Sequence, residues 1–433
     1  MKINIPESDL PRIVIVGGGF AGLLLARKLA RQAFQVVLID RNNFHQFQPL
    51  FYQVAMAGLE PSSIVFPIRK YFRKQKRVFF RVTEVTSIDT QSKRLQTPLG
   101  IVNYDHLVIA TGADTNFFGN EKLAELAIPM KSVSEALYLR NKILTDYEKA
   151  LSITDYAERQ AYTDILIVGG GATGVEIAGA LAEMRNYILP KDYPELNCEE
   201  IDIILVQSGD RLLKGMSSAA SEKALAFLKK LGVRVILKDR VVDFDGAKVT
   251  FKSGDTVNCR NLIWAAGIKG NMLEGLAPEC QARGNRIKVD AYCQVDQEAD
   301  IYAIGDIAYM ETEAYPNGHP QVAQVAIQQA KFLARVFKKG KAKTFKYKDL
   351  GTMATVGRNK AVADLPAFRS QGFFAWLIWL FVHLYQLVGV KNKLFVFINW
   401  VWNYFTYDQS LRLIIRPYVR RPQKKEAQQK PAS

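Results

Sequence analysis

Cysteine is scarce in this 433-residue chain, and the four present (Cys198, Cys259, Cys280 and Cys293) lie far apart. The absence of C-x-x-C or any other close pairing excludes a cysteine-borne metal cluster and a redox dithiol, and no metal is expected. Reduced thiols in a cytosolic setting are the expectation. Acidic residues are outnumbered, 42 Asp/Glu against 58 Lys/Arg, giving a net charge of +16. Long apolar runs are few. The most apolar, Phe373 to Val390, has 18 uncharged residues between Arg369 and Lys391, which excludes a multi-span membrane protein. The ten residues ahead of the first strand include Glu7 and Asp9 and are not expected to form a signal or transit peptide. An apolar share of 48% and an aromatic share of 11% predict a globular chain of two or three domains.

Glycine, by contrast, is placed with purpose. Ile13-Val14-Ile15-Val16 predicts a buried strand, and Gly17, Gly19 and Gly22 follow it in G-x-G-x-x-G spacing. The first glycine permits the tight turn, the second lets backbone approach a pyrophosphate, and the third lets the next helix, about Ala21 to Gln32, lie close. That helix aims its free N–H groups at the phosphates. A second strand, Val36 to Ile39, ends in Asp40, whose carboxylate can take the ribose hydroxyls of an adenosine. The pattern then repeats. Ile165 to Val168 precede Gly169, Gly171 and Gly174, and a partner strand, Ile201 to Val206, ends in Gln207 instead of an acid. Two such fingerprints predict two bound dinucleotides on an α/β fold of two Rossmann-like halves.

Other stretches carry less specific signals. Asn43 to Ala55 is polar and aromatic, either an ordinary surface loop or packing for a flat ring system. Strands are expected near Val78–Val85 and Arg94–Leu95, and a helix over Ser132 to Tyr156, where Leu137, Leu144 and Leu151 recur. Two buried strands end in small residues, Ala110-Thr111-Gly112 and Ala265-Ala266-Gly267, where backbone can come close to a ligand. Ile304-Gly305-Asp306 is either a plain turn or a carboxylate for a flavin's ribityl and phosphate region. Gln324 and Gln328 fall on one helix face beside Ala323 and Ala326, suited either to solvent or to the carbonyls of a flat ligand.

The basic excess sits at the end of the chain. From Lys341 to Ser433 there are 16 Lys/Arg against 4 Asp/Glu, a net +12. Leu394 to Tyr407 is too short to span a bilayer. It carries Asn399 and Asn403 in line with Asn392, and Phe395, Phe397, Trp400, Trp402 and Phe405 around the rest. Arg412, Arg416, Arg420, Arg421, Lys424 and Lys425 follow. Trp-rich amphipathic helices with clustered cations are expected to lie in a membrane interface. A helix spanning the bilayer over Phe373–Val390 and a buried dimer-interface helix are the alternatives.

Together these motifs resemble the type II NADH dehydrogenases, single-subunit NADH:quinone oxidoreductases of respiratory membranes. The resemblance runs from about Pro11 to Arg416 through GGGFAG (Gly17–Gly22), NFHQFQPLFYQVA (Asn43–Ala55), ATG (Ala110–Gly112), GGGATGVEIAG (Gly169–Gly179), AIGD (Ala303–Asp306), AQVAIQQA (Ala323–Ala330) and TMATVGRNKAV (Thr352–Val362). It implies non-covalent FAD held by Gly17, Gly19, Phe20, Ala21, Gly22, Asp40, Arg41, Ala110, Thr111, Gly112, Gly305, Asp306, Gln324 and Lys360. It implies NAD(P)H held by Gly169, Gly171, Thr173, Gly174, Glu176, Gln207, Ala266 and Gly267, and a membrane quinone near Ala323, Gln324, Ile327 and Gln328. Glu176, Gln324 and Gln328 are the implied catalytic residues. The domains implied are 1–120 and 291–345 for FAD, 121–290 for NAD(P)H, 346–420 for membrane association, and a disordered tail at 421–433. A peripheral, monotopic enzyme on the cytoplasmic face of the cell membrane is expected, as a homodimer, with no ion pumping and no nucleic acid partner.

The chain departs from the family at Gln207, where glutamate is usual. A neutral amide removes the repulsion of a 2′-phosphate, so NADPH is expected to be accepted beside NADH. Three rivals share parts of the pattern. A disulfide reductase needs a cysteine pair near the first helix, and none precedes Cys198. A sulfide:quinone oxidoreductase needs redox cysteines beside the flavin. A flavoprotein acting mainly as a nucleic-acid or partner binding module would spread its basic charge over the nucleotide domains.

Overall fold

The computed structural model describes residues 3–340, 343–409 and 411–415; Arg416, Arg420, Arg421, Lys424, Lys425 and the tail 421–433 lie outside the described residues. In chain order the elements that position the site begin with β1 (Arg12–Val16), α1 (Phe20–Leu29), β2 (Gln35–Asp40), α2 (Phe51–Ala55), β3 (Val78–Val82), β4 (His106–Ile109) and β5 (Ala113–Thr115). There follow β6 (Ile128–Pro129), α3 (Val133–Ala150), β7 (Ile165–Val168), α4 (Ala172–Tyr187), β8 (Ile203–Gln207), β9 (Arg234–Leu237), β10 (Asn261–Trp264) and β11 (Ile268–Gly270). The chain continues through β12 (Ile301–Ala303), α5 (Ala323–Lys339), β13 (Thr352–Gly357), β14 (Lys360–Asp364), β15 (Arg369–Gln371), α6 (Phe373–Gln386) and α7 (Val390–Thr406).

Two five-stranded parallel sheets carry the fold. The first has the order β12-β4-β1-β2-β3 and the second β6-β10-β7-β8-β9. Strands buried on both faces read as unbroken β-branched runs, as β1 and β7 do. The registers are duplicated too. Val16 pairs with Ile39 and Ile109, and Val168 with Val206 and Trp264. A short antiparallel ribbon of β5 and β11 joins the halves, braced where the Thr111 hydroxyl donates to the Asn271 carbonyl at 2.7 Å.

Some expected boundaries shift for local reasons. α1 stops at Leu29, short of Gln32, whose side-chain amide donates back to the Lys28 carbonyl at 3.4 Å as the chain turns into β2. The expected helix over Ser132 to Tyr156 is two. α3 starts at a capping box of Ser132 and Glu135 and ends at Ala150, and a separate helix, Tyr156–Thr163, is capped by Asp155.

The antiparallel sheet β13-β14-β15 lies against α4. Gly179 makes this possible, because a Cβ there would sit 2.0 Å from the Val356 carbonyl oxygen. α6 packs on the same sheet through Ala375, fully buried beside Ala361 and Ala363. The apolar run Phe373–Val390 is not one helix. α6 has 14 residues, and the chain turns at Gly389, with φ +91°, before α7 begins. At 1.5 Å per residue α6 covers about 21 Å, too little to cross a bilayer. Among the described residues no helix is long and apolar enough to do so.

The asparagine face of α7 turns inward. Asn392 donates to the Val65 carbonyl at 2.8 Å, Asn403 to the Gly58 carbonyl at 3.1 Å, and the Trp400 indole to the Gln53 side chain at 2.7 Å. The opposite faces of α6 and α7 leave Phe374, Phe381, Tyr385, Val390 and Phe405 each at least 70% exposed. Replacing Gly179 with alanine is expected to destabilise the fold by about 1–3 kcal/mol, the usual cost of forcing a methyl into packed backbone. Denaturant unfolding of G179A would measure this, and an unchanged midpoint would show that the α4–β13 contact gives way.

Candidate functional site

The two sheets present matching crevices at the carboxyl ends of their strands. In the first, Gly17 has φ +108°, and a Cβ there would lie 2.2 Å from the Ala110 carbonyl oxygen. A Cβ on Gly22 would lie 1.9 Å from the Gly17 carbonyl oxygen, whereas one on Gly19 meets nothing within 4 Å. The middle glycine thus faces open space, as a phosphate cradle requires. The second crevice repeats this. Gly169 and Gly174 are hemmed in by the carbonyls of Ala265 and Gly169, and Gly171 is open.

The strand-end polar residues are held alike. Asp40 accepts from the Gly18 N–H at 2.6 Å and the Asn42 N–H at 2.6 Å, yet burial still raises its pKa above the ordinary value. Gln207 accepts from the Gly170 N–H at 2.8 Å through Oε1, and its amide nitrogen lies on the side of Gly209, 3.0 Å from where a Cβ on that glycine would sit. His45, buried and held toward its neutral form, meets the Gly18 carbonyl through Nδ1 at 3.0 Å. Phe20, at the start of α1, packs edge-on against His45 and Phe47. Ala21 and Ala110 are buried, Gly112 has φ +70°, and Arg41 and Thr173 are exposed at the rims. Ala266 and Gly267 end the strand beside the second loop.

Gly305 and Asp306 close the first crevice. Gly305 has φ +80°, and its N–H donates to Gln329 Oε1 at 2.7 Å. Gln329 is fully buried, and its Nε2 has no partner among the described residues. Burial raises the Asp306 carboxyl, with Lys131 and Arg286 offsetting part of the shift. An orphaned buried amide, a sequestered carboxylate and an open glycine cradle together fit a polar, phosphate-bearing cofactor. Gln329 was not among the residues the sequence pointed to. Its signal was present, one position along from Gln328 on the buried face of α5.

Gln324 and Gln328 lie elsewhere. Gln324 bonds the Gly351 carbonyl (3.2 Å) and the Leu350 N–H (2.9 Å), and Gln328 bonds Lys348 through both its carbonyl (2.8 Å) and its N–H (3.0 Å). Both amides clamp the segment entering β13. Ala323 and Ile327 are half-buried beside them. Lys360 opens β14, donates to the Arg358 carbonyl at 3.4 Å and offsets the charge of Glu183.

Glu176 lines a cavity of about 140 Å³ bounded by α2, α4, β13, α6 and α7, with Tyr52, Glu183, Thr355, Trp379 and Trp400 in its wall. It is 9% exposed. Burial raises its pKa to about 8, against the Thr355 N–H and the nearby Trp379 indole, which favour the charged form. The indole sits beside the carboxyl without a hydrogen bond of normal geometry. Trp379 stacks on His383, with ring centroids 4.0 Å apart, and burial lowers that histidine to about 4. Gln324 and Gln328 do not line this cavity.

A carboxyl at about 8 in the fold and near 4.5 when unfolded binds more protons folded than unfolded between those values. Stability therefore falls as pH rises from about 4.5 to 8, by at most about 1.4 kcal/mol per pH unit. Glu176→Gln is expected to remove that slope, so its melting temperature gains on the wild type across this window and holds the gain above it. Parallel melting curves for the two chains would mean that Glu176 ionises normally.

Comparison with known proteins agrees with this architecture. A family model described as pyridine nucleotide-disulphide oxidoreductase matches residues 11–330, and one described as NDH2 C-terminal domain matches residues 350–407. The chain is 35% identical to the type II NADH:quinone oxidoreductase Ndh of Mycobacterium tuberculosis, over 90% of this chain and 87% of that one. It is 27% identical to an internal alternative NAD(P)H-ubiquinone oxidoreductase of Arabidopsis thaliana, covering 91% and 84%. In fold it matches NDH2 of Plasmodium falciparum solved with NADH, at TM-score 0.85 and 22% identity, over 94% of this chain and 100% of that one. The sulfide:quinone oxidoreductase of Aquifex aeolicus matches at TM-score 0.70 and 20% identity, over 92% and 95%. Continuous similarity through both nucleotide-binding sheets and the C-terminal helices shows that the chain belongs to the type II NADH:quinone oxidoreductase family.

Proposed function

We propose that the chain carries out the reaction NADH + H+ + quinone → NAD+ + quinol, with non-covalent FAD as its resident cofactor. One observation carries this reading. Two duplicated glycine crevices share a molecule with a buried carboxyl, held by burial toward its protonated form, in an aromatic cavity walled by helices whose outer faces are apolar.

FAD, when bound, supplies the two-electron redox chemistry. The residues that would hold it are the open loop at Gly19, with Gly17, Phe20, Ala21 and Gly22; Asp40 at the adenosine end, with Arg41 at its rim; and Ala110, Thr111, Gly112, Gly305 and Asp306. The orphaned amide of Gln329 joins this set. Reduced nicotinamide nucleotide takes the second crevice, with phosphates over Gly169, Gly171, Thr173 and Gly174, adenosine at Gln207, and Ala266 and Gly267 on the far side of β7. Glu176 holds a proton on its carboxyl near neutral pH, available to a quinone oxygen. Gln324 and Gln328, with Ala323 and Ile327, shape the quinone approach by fixing the segment that leads into β13; Lys360 acts on Glu183 at the same sheet.

The exposed faces of α6 and α7 seat the enzyme on a membrane, with Lys391 and Lys393 beside the aromatic surface. The cytoplasmic face is the proposed side, where reduced nicotinamide nucleotides are generated. Vesicle flotation tests this seat. A chain that stays off vesicles and pairs instead through these helices would overturn it.

Anaerobic stopped-flow mixing of detergent-solubilised protein with NADH, then with a soluble quinone, tests the reaction. Rapid bleaching of the flavin band followed by quinone-driven recovery is expected, and bleaching without recovery would leave a reductase for another acceptor. Because Gln207 presents an amide donor instead of a carboxylate, NADPH is expected within about a thousandfold of NADH in kcat/KM, roughly 4 kcal/mol. Gln207→Glu should lower kcat/KM for NADPH by about tenfold or more and leave NADH little changed. Equal losses with both nucleotides would deny Gln207 a role in discrimination.

A further inference from the structure

The turn after β5 holds a residue that folding alone does not explain. Phe118 is 67% exposed and has φ +53°, a left-handed conformation that a bulky aromatic residue rarely adopts. Its neighbour Phe117 is half-buried and packs against Trp264 at 5.5 Å between ring centroids, so one ring of the pair points in and the other out.

The turn is firmly tied down. Asn116 donates its N–H to the Gly267 carbonyl at 3.0 Å, and its own carbonyl accepts from the Trp264 indole at 2.9 Å. The Asn116 side chain accepts from the Phe118 N–H at 2.8 Å, which fixes the unusual backbone. Asn120 then caps the next helix by accepting from the Leu123 N–H at 2.9 Å. These bonds hold the exposed ring against Gly267, where a Cβ would lie 2.9 Å from the ring's Cζ. A rigid turn therefore carries an apolar ring in a costly conformation at the mouth of the second crevice. Such outliers persist where surrounding structure enforces them, and they cluster at ligand clamps.

The sheet order says which part of the ligand the ring meets. Gln207 ends β8 on one side of β7, and the glycine loop follows β7 itself. β10, whose extension carries Gly267, pairs with β7 on the other side. A dinucleotide with its adenosine at Gln207 and its phosphates over the loop extends its nicotinamide half toward β10. We propose that Phe118 is the aromatic contact that positions the nicotinamide half of the bound nucleotide. This rests on the dinucleotide reading of the second crevice and adds a residue that lies outside its glycine fingerprint.

Equilibrium titration of the flavin-loaded enzyme with NAD+ and with ADP-ribose, which lacks the nicotinamide, tests the proposal. Phe118→Ala and Phe118→Gly are expected to weaken NAD+ by about tenfold, the scale of one aromatic contact. ADP-ribose binding should stay as in the wild type, and Phe118→Tyr should restore NAD+ binding. Steady-state KM should rise alike for NADH and NADPH, which differ only at the adenosine end. Phe118→Gly should also melt no lower than the wild type, because glycine relieves the positive φ. A role confined to stability would instead lower its melting temperature and leave NAD+ binding intact. Equal weakening of NAD+ and ADP-ribose, or of neither, would overturn the assignment. A wild-type chain that binds neither compound would overturn the dinucleotide reading itself.

Discussion

In both parallel sheets the carbonyl oxygen of the first fingerprint glycine occupies the place where a side chain on the third would be. A Cβ on Gly22 or on Gly174 would lie 1.9 Å from that oxygen. Helix and strand can therefore close to backbone contact only with glycine at both positions. That closeness aims the free N–H groups at the start of each helix into the crevice beside the strand ends. Nearly everything else about the nucleotide crevices follows. The strand-end residues Asp40 and Gln207 bond the loop from one side, and the Ala110 and Ala265 carbonyls press on the first glycine from the other.

This is also why the two halves were legible in the sequence. A glycine whose alternatives collide with backbone leaves a fixed spacing, and a strand buried on both faces leaves an unbroken apolar run. Both signals are local. The glutamines of α5 were harder to read, because spacing places Gln324 and Gln328 on one face but cannot say what lies opposite. What lies there is the backbone of the segment entering β13, whose groups consume both amides. Gln329 reaches the Gly305 turn only because α5 packs on α1, a contact between residues some 300 positions apart in sequence.

The C-terminal helices show the same limit from another side. Apolar composition marked them as unusual, yet their aromatic residues divide into two populations that composition cannot separate. Trp379 and Trp400 face the cavity, while Phe374, Phe381 and Phe405 face outward. Asparagine decides the division on α7. Asn392 and Asn403 find the backbone carbonyls of Val65 and Gly58, in the stretch that follows α2, and so fix which face turns in. Gly389 then lets the chain turn tightly beside the Phe66 ring, where a side chain would collide at 2.6 Å, and divides one apolar run into two short helices.

Glu176 shows what this packing does to chemistry. A glutamate in the first turns of a helix would ordinarily ionise, because the N-terminal end of the dipole favours negative charge. Here α4 is closed over by β13 and by Trp379 of α6, and the loss of solvent outweighs the dipole and the neighbouring donors. The helices that carry the apolar surface thus bias the carboxyl toward its protonated form. Glu183, two turns further along α4, is raised by the same burial, though the Arg358 N–H at 2.6 Å and the charges of Lys360 and Arg358 hold it back. Burial thus raises two glutamates on one helix, and only Glu183 faces the basic turn between β13 and β14, whose charges oppose the shift.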